Sequence, residues 1–340
     1  DWKDLERGSA GRQYIDMGEC VKMKKNICFS IPCYNEEENV EPLVSEIIKI
    51  FQQPQLQKYN CSIEFIDNHS TDHTRQKLRN LCEKYPENVK VIFNARNFGG
   101  VSNYYGLLQT RGECSIVLPC DFQVPLAIIP ELISKWEAGA KIVCAVKESS
   151  NENHAMWGIR KLYYKLVKQF SNVEQIEHFT GAGLYDKSFI TWLNALADPM
   201  PSLRGLVVEY GCGIEKIYYK EQKRRTGKSK QTFLSLFNVA IKNLVTYSQL
   251  LPHMATFVGF ALSIFSVIVG VIYLILKLLY WNEFSGGIAP ILFGVFFLGG
   301  IQLAFLGIIG EYLMLINQRL LNRPLVIEEE RLNYSKNEEE

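Results

Sequence analysis

The 340-residue sequence lacks several features that would assign it to a common functional class. Its net charge of +1 shows no excess of either sign, so nothing global points to nucleic acid as a partner. Its nine cysteines include no C-x-x-C pair and no cysteine–histidine cluster with zinc spacing. This pattern predicts reduced, mostly buried thiols in a cytosolic domain. Residues 1–24 are polar and patternless, which predicts a leader or disordered segment without a signal peptide.

Two hydrophobic runs without charge stand near the C-terminus, Ala255–Leu276 and Ile288–Ile309, each of 22 residues. About 20 apolar residues are needed to cross a bilayer as a helix. The runs therefore predict two transmembrane helices within residues 252–316, tethering a water-exposed domain to a membrane. The following tail, residues 317–340, is acidic from Glu328 and is expected to fray.

Basic residues near the predicted spans indicate their orientation. Lys242 precedes the first span, and Arg319 and Arg323 follow the second. The connecting loop, Leu278–Gly287, carries Glu283 as its one charged residue. The positive-inside rule therefore predicts that both termini and the soluble domain are cytosolic.

Residues 231–251 form a predicted amphipathic helix beside the membrane. Apolar residues recur at helical spacing at Phe233, Leu236, Phe237 and Ala240. Such a helix either lies in the headgroup plane or packs as an ordinary core helix, and both interpretations stay open. The aromatic and basic segment Trp157–Lys168 has the same two interpretations.

Short apolar strands alternate with helices from residue 25 onward. The predicted strands are Ile27–Pro32, Ser62–Ile66, Val89–Phe93, Ser115–Leu118 and Lys141–Val146, and the predicted helices include Val40–Phe51 and Ile128–Trp136. Ser70 or Thr71 is expected to cap a helix after the second strand. This alternation predicts an α/β fold with a mostly parallel sheet and helices on both faces. Polar clusters at Asn35–Glu38, Asp67–Asp72 and Asp121–Gln123 follow strands, where such sheets bind ligands.

Six segments, in order, resemble the signatures of family 2 glycosyltransferases. They are Ile31–Asn39 (P-x-Y-N-E), Phe65–Asp72 (usually V-D-D-G-S-T-D), Asn94–Gly100 (R-N-x-G), Leu118–Pro125 (D-A-D-L-Q-D-P), Gly181–Lys187 (L-x-D-[RK]) and Arg224–Lys230 (R-x-x-G-x-S-K). The order of the motifs and the hydrophobic pair are similar to bactoprenol glucosyltransferases, and dolichyl-phosphate mannose synthases share the catalytic domain. The resemblance covers residues 25–327 and implies a GT-A catalytic domain at residues 25–230.

The resemblance implies that the loops after the first two strands hold a nucleotide-sugar donor. The implied donor-binding residues are Pro32, Tyr34, Asn35, Glu36, Asp67, Asn97, Asp121, Gln123, Arg225, Lys228 and Ser229. Amide and carboxylate groups at these positions can hydrogen-bond a base and a ribose. For Glu36–Glu38 an alternative is a solvated helix start, since acids there favour the helix dipole.

Asp121 and Gln123 are the implied ligands of Mg²⁺ or Mn²⁺. They carry hard oxygen atoms two residues apart, and on an extended segment both would point the same way. The ion would neutralise charge on the departing diphosphate. Asp121, Arg225 and Lys228 are therefore the expected catalytic residues. The sequence departs from the family pattern at two positions of this loop, where Pro119 and Val124 replace acidic residues. Likewise Thr180–Leu184 replaces G-D-F-R-L and lacks its Asp and Arg.

The implied acceptor is a polyprenyl phosphate. Its second pKa near 6 leaves much of it a dianion at neutral pH, so cations that position it matter more than a general base. The candidate cations are Lys147, Arg160 and Arg204. The basic loop Arg224–Lys230 could alternatively attract anionic lipid headgroups. For Asp186, a salt bridge or helix cap is as reasonable as catalysis.

The resemblance implies transfer of a single hexose from a nucleotide sugar, preferably a UDP-sugar, to undecaprenyl phosphate, with inversion. The product would serve cell-envelope glycan modification at the inner membrane of a bacterium. The resemblance also implies a homo-oligomer, such as a tetramer. A processive polysaccharide synthase is disfavoured because two spans are too few for a polymer channel and no Q-x-x-R-W signature occurs. A catalytically impaired membrane scaffold is the third hypothesis.

Overall fold

A computed structural model describes residues 24–148, 176–196, 198–199, 201–222, 250–280, 288–321 and 323–334. An eight-stranded sheet forms its centre, with strand order β7-β5-β6-β4-β1-β2-β3-β8. The strands are β1 (Lys25–Cys33), β2 (Tyr59–Asp67), β3 (Val89–Asn94), β4 (Cys114–Val117), β5 (Ile142–Lys147), β6 (Phe179–Asp186), β7 (Ile214–Tyr219) and β8 (Glu328–Leu332). The five strands predicted from the sequence are confirmed to within a few residues at each end.

Helices cover both faces of the sheet. They are α1 (Val40–Phe51), α2 (Thr74–Lys84), α3 (Val101–Gln109), α4 (Ile129–Glu137), α5 (Lys187–Leu196) and α6 (Leu203–Tyr210), followed by α7 (Leu250–Leu279) and α8 (Ile288–Leu320). One buried core contains side chains of α1, α2 and α4, and the other contains those of α3, α5 and α6. Strand β5 shows the alternation that separates the two cores: Val143 and Ala145 face the first, and Ile142 and Cys144 face the second.

The strand directions bring several loops to one edge. Strands β4, β1, β2 and β3 are parallel neighbours, and β5 is parallel to β7. Strand β6 is antiparallel to both β4 and β5, so β5 and β7 run in the same direction as β4. The carboxyl ends of β1, β2, β3, β4, β5 and β7 therefore meet at one side, called here the carboxyl edge. The prediction of a mostly parallel sheet is confirmed.

The replaced segment Thr180–Leu184 lies within β6, against its neighbour β5. A Cβ atom added at Gly183 would lie 2.3 Å from the Val143 carbonyl oxygen, and the φ of Gly183 is 156°. The close approach of the two strands thus leaves no room for the arginine that family members carry in this segment.

The acidic end of the chain forms a strand, so the prediction of a frayed tail is wrong for Glu328–Leu332. This segment pairs antiparallel with β3 at the end of the sheet. Arg75 donates a hydrogen bond to Glu329 at 2.7 Å, and Arg79 makes two hydrogen bonds with Glu330. Because Arg75 lies 254 residues before Glu329, no local pattern indicates this strand.

Helices α7 and α8 contain the two hydrophobic runs as continuous helices of 30 and 33 residues. Many of their large apolar side chains are exposed, including Phe257, Phe260 and Leu303. Across the described ranges, one segment, Phe297–Met314 of α8, combines the length with the mean hydropathy (1.6) needed to cross a membrane, and none of it is buried. By length and composition, the described residues thus contain one candidate membrane span, in α8, and the expected two-helix hairpin is not supported.

Candidate active site

Hydrogen bonds through Asn35 join the loops that follow β1 and β2. The Asn35 N–H donates to Ser70 Oγ at 2.9 Å, its Nδ2 donates to Thr71 Oγ1 at 3.2 Å, and its Oδ1 accepts the Thr71 N–H at 2.8 Å. Asn35 adopts a left-handed φ of 57°, which asparagine tolerates better than most residues. The two loops are thus brought together at the carboxyl edge. The prediction that Ser70 or Thr71 caps α2 is wrong, because both hydroxyl groups bind Asn35.

Glu36 is anchored at the start of α1. Its carboxylate accepts a hydrogen bond from Asn39 Nδ2 at 2.6 Å, and its N–H donates to Thr74 Oγ1 at 2.8 Å. Pro32 and Tyr34, the other predicted donor residues of this loop, are half-buried beside it. The alternative for Glu36–Glu38, that they are solvated residues at the start of a helix, fits Glu38, which is exposed.

Asp67 is fully buried at the end of β2. Its oxygens accept the Ser70 N–H at 3.3 and 3.2 Å, and its Oδ2 lies 3.5 Å from Arg75 Nε. Burial raises the pKa of Asp67 above its usual value, and the Ser70 hydrogen bonds and the Arg75 charge only partly offset this effect. The Asp67 carboxylate therefore stabilises the turn at Ser70.

Asn68 links the β2 loop to the predicted donor residue Asn97. Its Oδ1 accepts hydrogen bonds from the Phe98 N–H and Ser102 Oγ, both at 2.8 Å, and from Asn94 Nδ2 at 3.3 Å. Its Nδ2 donates to Asn97 Oδ1 at 2.8 Å. Sequence reasoning did not single out Asn68, although it stands where the family signature carries a second aspartate.

Asp121 and Gln123 lie in the loop after β4, at the carboxyl edge. Asp121 is buried, and its Oδ1 accepts the Gln123 N–H at 3.1 Å. Phe122 between them has a left-handed φ of 59°. The prediction of an extended segment is therefore wrong: the side-chain hydrogen bond and the φ of Phe122 turn the chain, so period-2 geometry does not apply.

The donor set of this loop fits a divalent ion such as Mg²⁺ or Mn²⁺. Asp121 and Gln123 offer carboxylate and amide oxygens, and Mg²⁺ in proteins usually binds through one or two carboxylates with water and substrate phosphates completing its shell. Among the described residues, no group of three or more His, Cys, Asp or Glu side chains forms a cage that would hold a metal without a substrate. Asp121 and Gln123 would hold the ion, and substrate would complete the site.

The end of β7 joins Lys147 to the Asp121 loop. Lys147, at the end of β5, pairs with Glu221, and the Gln222 N–H donates to the Gln123 carbonyl oxygen at 3.1 Å. Burial, together with the charges of Glu221 and Asp121, raises the pKa of Tyr219 to about 12. The predicted acceptor cation and metal ligand therefore belong to one cluster. Sequence reasoning missed Glu221, whose one signal is that it is the lone acid in a basic stretch.

The carboxylates of the carboxyl edge surround two buried thiols. Burial raises the pKa of Cys33, and Asp67 and Glu36 raise it further. Burial, Glu36 and Asp121 raise the pKa of Cys120 in the same way. Both thiols therefore stay protonated near neutral pH. Of the eight cysteines that the structure describes, all are free and six are buried, as predicted.

Other predicted site residues have different placements. Arg204 is exposed in the first turn of α6. Arg160, Arg225, Lys228 and Ser229 lie outside the described residues, as do most of the two predicted amphipathic segments.

Asp186 lies at the opposite edge of the sheet, at the end of β6. It accepts hydrogen bonds from Trp136 Nε1 at 2.7 Å and from the Ser188 N–H at 3.0 Å, next to the start of α5, and it pairs with Lys141 at 3.2 Å. Asp186 is therefore a helix cap and salt-bridge residue, as one of the two interpretations had it.

Comparisons of the sequence with known proteins identify the family of this chain. The model of glycosyl transferase family 2 matches residues 28–192. The putative glycosyltransferase CsbB of Bacillus subtilis is 30% identical over 302 residues, which cover 88% of this chain and 89% of that protein. The chain belongs to glycosyl transferase family 2. This glycosyltransferase is also 28% identical to the SfII prophage-derived bactoprenol glucosyl transferase of Shigella flexneri, over 88% of this chain and 96% of that protein.

Among solved structures, the glycosyltransferase is similar to glucosyl-3-phosphoglycerate synthase from Mycobacterium tuberculosis. The TM-score is 0.44 with 15% identity, over 65% of this chain and 78% of that one. A likeness this distant assigns no ligand. The strand order and the carboxyl edge described above are those of a GT-A-like α/β domain.

Proposed function

We propose that this glycosyltransferase transfers one hexose from a nucleotide sugar, preferably a UDP-sugar, to undecaprenyl phosphate or a related polyprenyl phosphate. The reaction takes place at the cytoplasmic face of a bacterial membrane, and α7 and α8 anchor the enzyme there as a hairpin. The observation that carries this proposal is that one chain joins a family 2 catalytic sheet to two long helices with exposed apolar side chains. Relatives that match over most of their length bear the name bactoprenol glucosyl transferase, which supports the lipid acceptor.

In the proposed reaction, a phosphate oxygen of the acceptor attacks the anomeric carbon of the donor. The bond from that carbon to the diphosphate breaks, and the nucleoside diphosphate leaves with the electron pair, so the configuration inverts. Mg²⁺ or Mn²⁺, when bound, neutralises charge on the leaving diphosphate. Asp121 and Gln123 would hold the ion, and Arg225, Lys228 and Ser229 would bind the donor phosphates.

The remaining roles follow from the placement of the loops. Asn35, Glu36, Asp67 and Asn97 would bind the nucleoside at the ends of β1, β2 and β3. Lys147, at the end of β5, would bind the acceptor phosphate together with Arg160 and Arg204. Because that phosphate is largely a dianion at neutral pH, it needs no general base to remove a proton. The main role of the enzyme toward the acceptor is to position the phosphate with cations. Assembly as a homo-oligomer, for example a tetramer, would present several such sites to one membrane.

The proposal is tested with the purified full chain in liposomes that contain undecaprenyl phosphate. Mg²⁺ or Mn²⁺ and a panel of labelled nucleotide sugars are added, and lipid-linked label is separated by chromatography. We expect a single product carrying one sugar, formed with one donor of the panel. A ladder of products would identify a processive synthase, and no lipid-linked label with any donor would identify a scaffold; both would overturn the proposal.

A further inference from the structure

Strand β8 is held against β3 by two similar arginine–glutamate pairs. Arg75 pairs with Glu329 at 2.7 Å, and Arg79 pairs with the next residue, Glu330. Both guanidinium groups lie over the ring of Phe93, with their central carbons 4.8 and 4.7 Å from its centroid. The two pairs therefore hold the same strand from the same helix, over the same aromatic ring.

One contact distinguishes the two arginines. Arg75 Nε lies 3.5 Å from Asp67 Oδ2, too far for a hydrogen bond but within ion-pair distance. This N–H group is buried and makes no hydrogen bond within the described part of the chain. Within the described residues, Arg79 forms an ion pair with Glu330 and none with Asp67. Arg75 thus connects the strand that follows α8 to a carboxylate of the predicted donor site.

The charges around Asp67 explain the role of its contact with Arg75. Asp67 is fully buried, and among its neighbours Arg75 supplies the positive charge, whereas Asp72 opposes ionisation. An arginine side chain has many rotamers, and a partner at one end of the guanidinium restricts them. Glu329 is such a partner, because it holds Nη2 while Nε faces Asp67. The Arg75 group is therefore fixed from β8 in the position where it compensates the Asp67 charge.

We propose that Arg75 and Glu329 are positioning residues, which hold the Asp67 carboxylate, and through it the turn at Ser70, in the arrangement that binds the donor nucleoside. This inference rests on the proposed function, since it takes Asp67 as part of the donor site. It adds that β8, the strand that follows α7 and α8 in the sequence, is coupled to donor binding.

The test titrates UDP, with GDP in parallel, into the full chain by calorimetry. The variants are Arg75→Met and Glu329→Gln, and the matched controls are Arg79→Met and Glu330→Gln. We expect Arg75→Met to weaken nucleotide binding about tenfold, because a buried carboxylate loses its compensating charge. Glu329→Gln should weaken it about threefold, since the exposed pair contributes less. The controls should stay within about twofold of the wild type.

Two further readouts separate positioning from a general loss of structure. In the transfer assay, Arg75→Met should raise the KM for the donor with little change in kcat, and Arg75→Lys should restore part of the binding. Thermal unfolding should shift no more in Glu329→Gln than in Glu330→Gln, because Glu330 accepts two hydrogen bonds from its arginine and Glu329 accepts one. The comparison of these two stays informative even if Arg75→Met does not fold.

Two results would overturn the inference in distinguishable ways. If the wild type binds nucleotide and all four variants bind it equally, Arg75 and Glu329 are structural residues and the proposed function stands. If the wild type binds neither UDP nor GDP, the donor site itself is wrong, and the proposed function fails with the inference.

Discussion

Replacing Asn68 by aspartate tests whether the amide network of the β2 loop is built as described. The change keeps the shape of the side chain and restores the acid that the family signature carries at this position. The three hydrogen bonds to Oδ1, from Phe98, Ser102 and Asn94, remain possible. The other atom changes from a donor to an acceptor, 2.8 Å from Asn97 Oδ1. Asn97 cannot turn its amide in response without losing the bond from the Gly99 N–H to the same oxygen.

The magnitude follows from the number of affected bonds. An unsatisfied buried acceptor costs about 1–3 kcal/mol, so Asn68→Asp should lower the free energy of unfolding by about 2 kcal/mol. Asn68→Ala loses all the bonds of the side chain, each with a net value of about 1 kcal/mol, and should cost about 4 kcal/mol. For a domain of this size, each kcal/mol lowers the melting temperature by about 2–4 °C.

The assay is thermal unfolding of the detergent-solubilised chain, followed by near-ultraviolet circular dichroism. We expect melting temperatures to fall by about 4–8 °C for Asn68→Asp and about twice that for Asn68→Ala. Asn88→Ala, which removes one hydrogen bond of 2.8 Å to the Cys61 carbonyl oxygen away from the site, is the control and should shift least. An aspartate variant as stable as the wild type would refute the network.

Two further predictions concern the two edges of the sheet. Lys147→Met should raise the KM for undecaprenyl phosphate about tenfold and leave the donor KM unchanged, because a charge-assisted bond to the acceptor is lost; an unchanged acceptor KM would refute this role. Asp186→Ala should lower the free energy of unfolding by about 2 kcal/mol in urea titrations at pH 7. Burial would raise the pKa of Asp186, but hydrogen bonds from Ser188, Trp136 and Lys141 outweigh it and lower the pKa. This stabilisation is therefore complete above the ordinary aspartate pKa of about 3.9 and is lost as the pH falls through the folded pKa, so the difference between variant and wild type should shrink as the pH is lowered below that ordinary value.

The part of the fold that depends on local pattern could be predicted from the sequence. The apolar stripe of Val40, Leu43, Val44 and Ile47 is buried in α1, as its helical spacing requires. The alternation of strands and helices also predicts the parallel half of the sheet, because each crossover returns the chain to the same edge. The polar clusters after these strands are found together for the same reason.

Features that depend on distant partners could not be predicted. The glutamate-rich β8 has low strand propensity and is stable because Arg75, Arg79 and the edge of β3 receive it. The turn at Asp121 also depends on the left-handed φ of Phe122, which a phenylalanine does not signal. The pairing of Lys147 with Glu221 joins the ends of two strands that are neighbours only in the folded sheet.

The central claim is that the loop at Asp121 is part of the active site, which transfers a sugar to a membrane-borne phosphate. Its most direct test compares the initial rate of lipid-linked product formation by Asp121→Ala with that of Asp186→Asn, a carboxylate change at the opposite edge. We predict that Asp121→Ala lowers kcat by about a thousandfold, while the loss of its hydrogen bond with Gln123 lowers the melting temperature by only about 2–4 °C. Asp186→Asn should keep its rate per folded molecule. An Asp121→Ala enzyme that forms the product at a rate near that of the wild type would contradict the account.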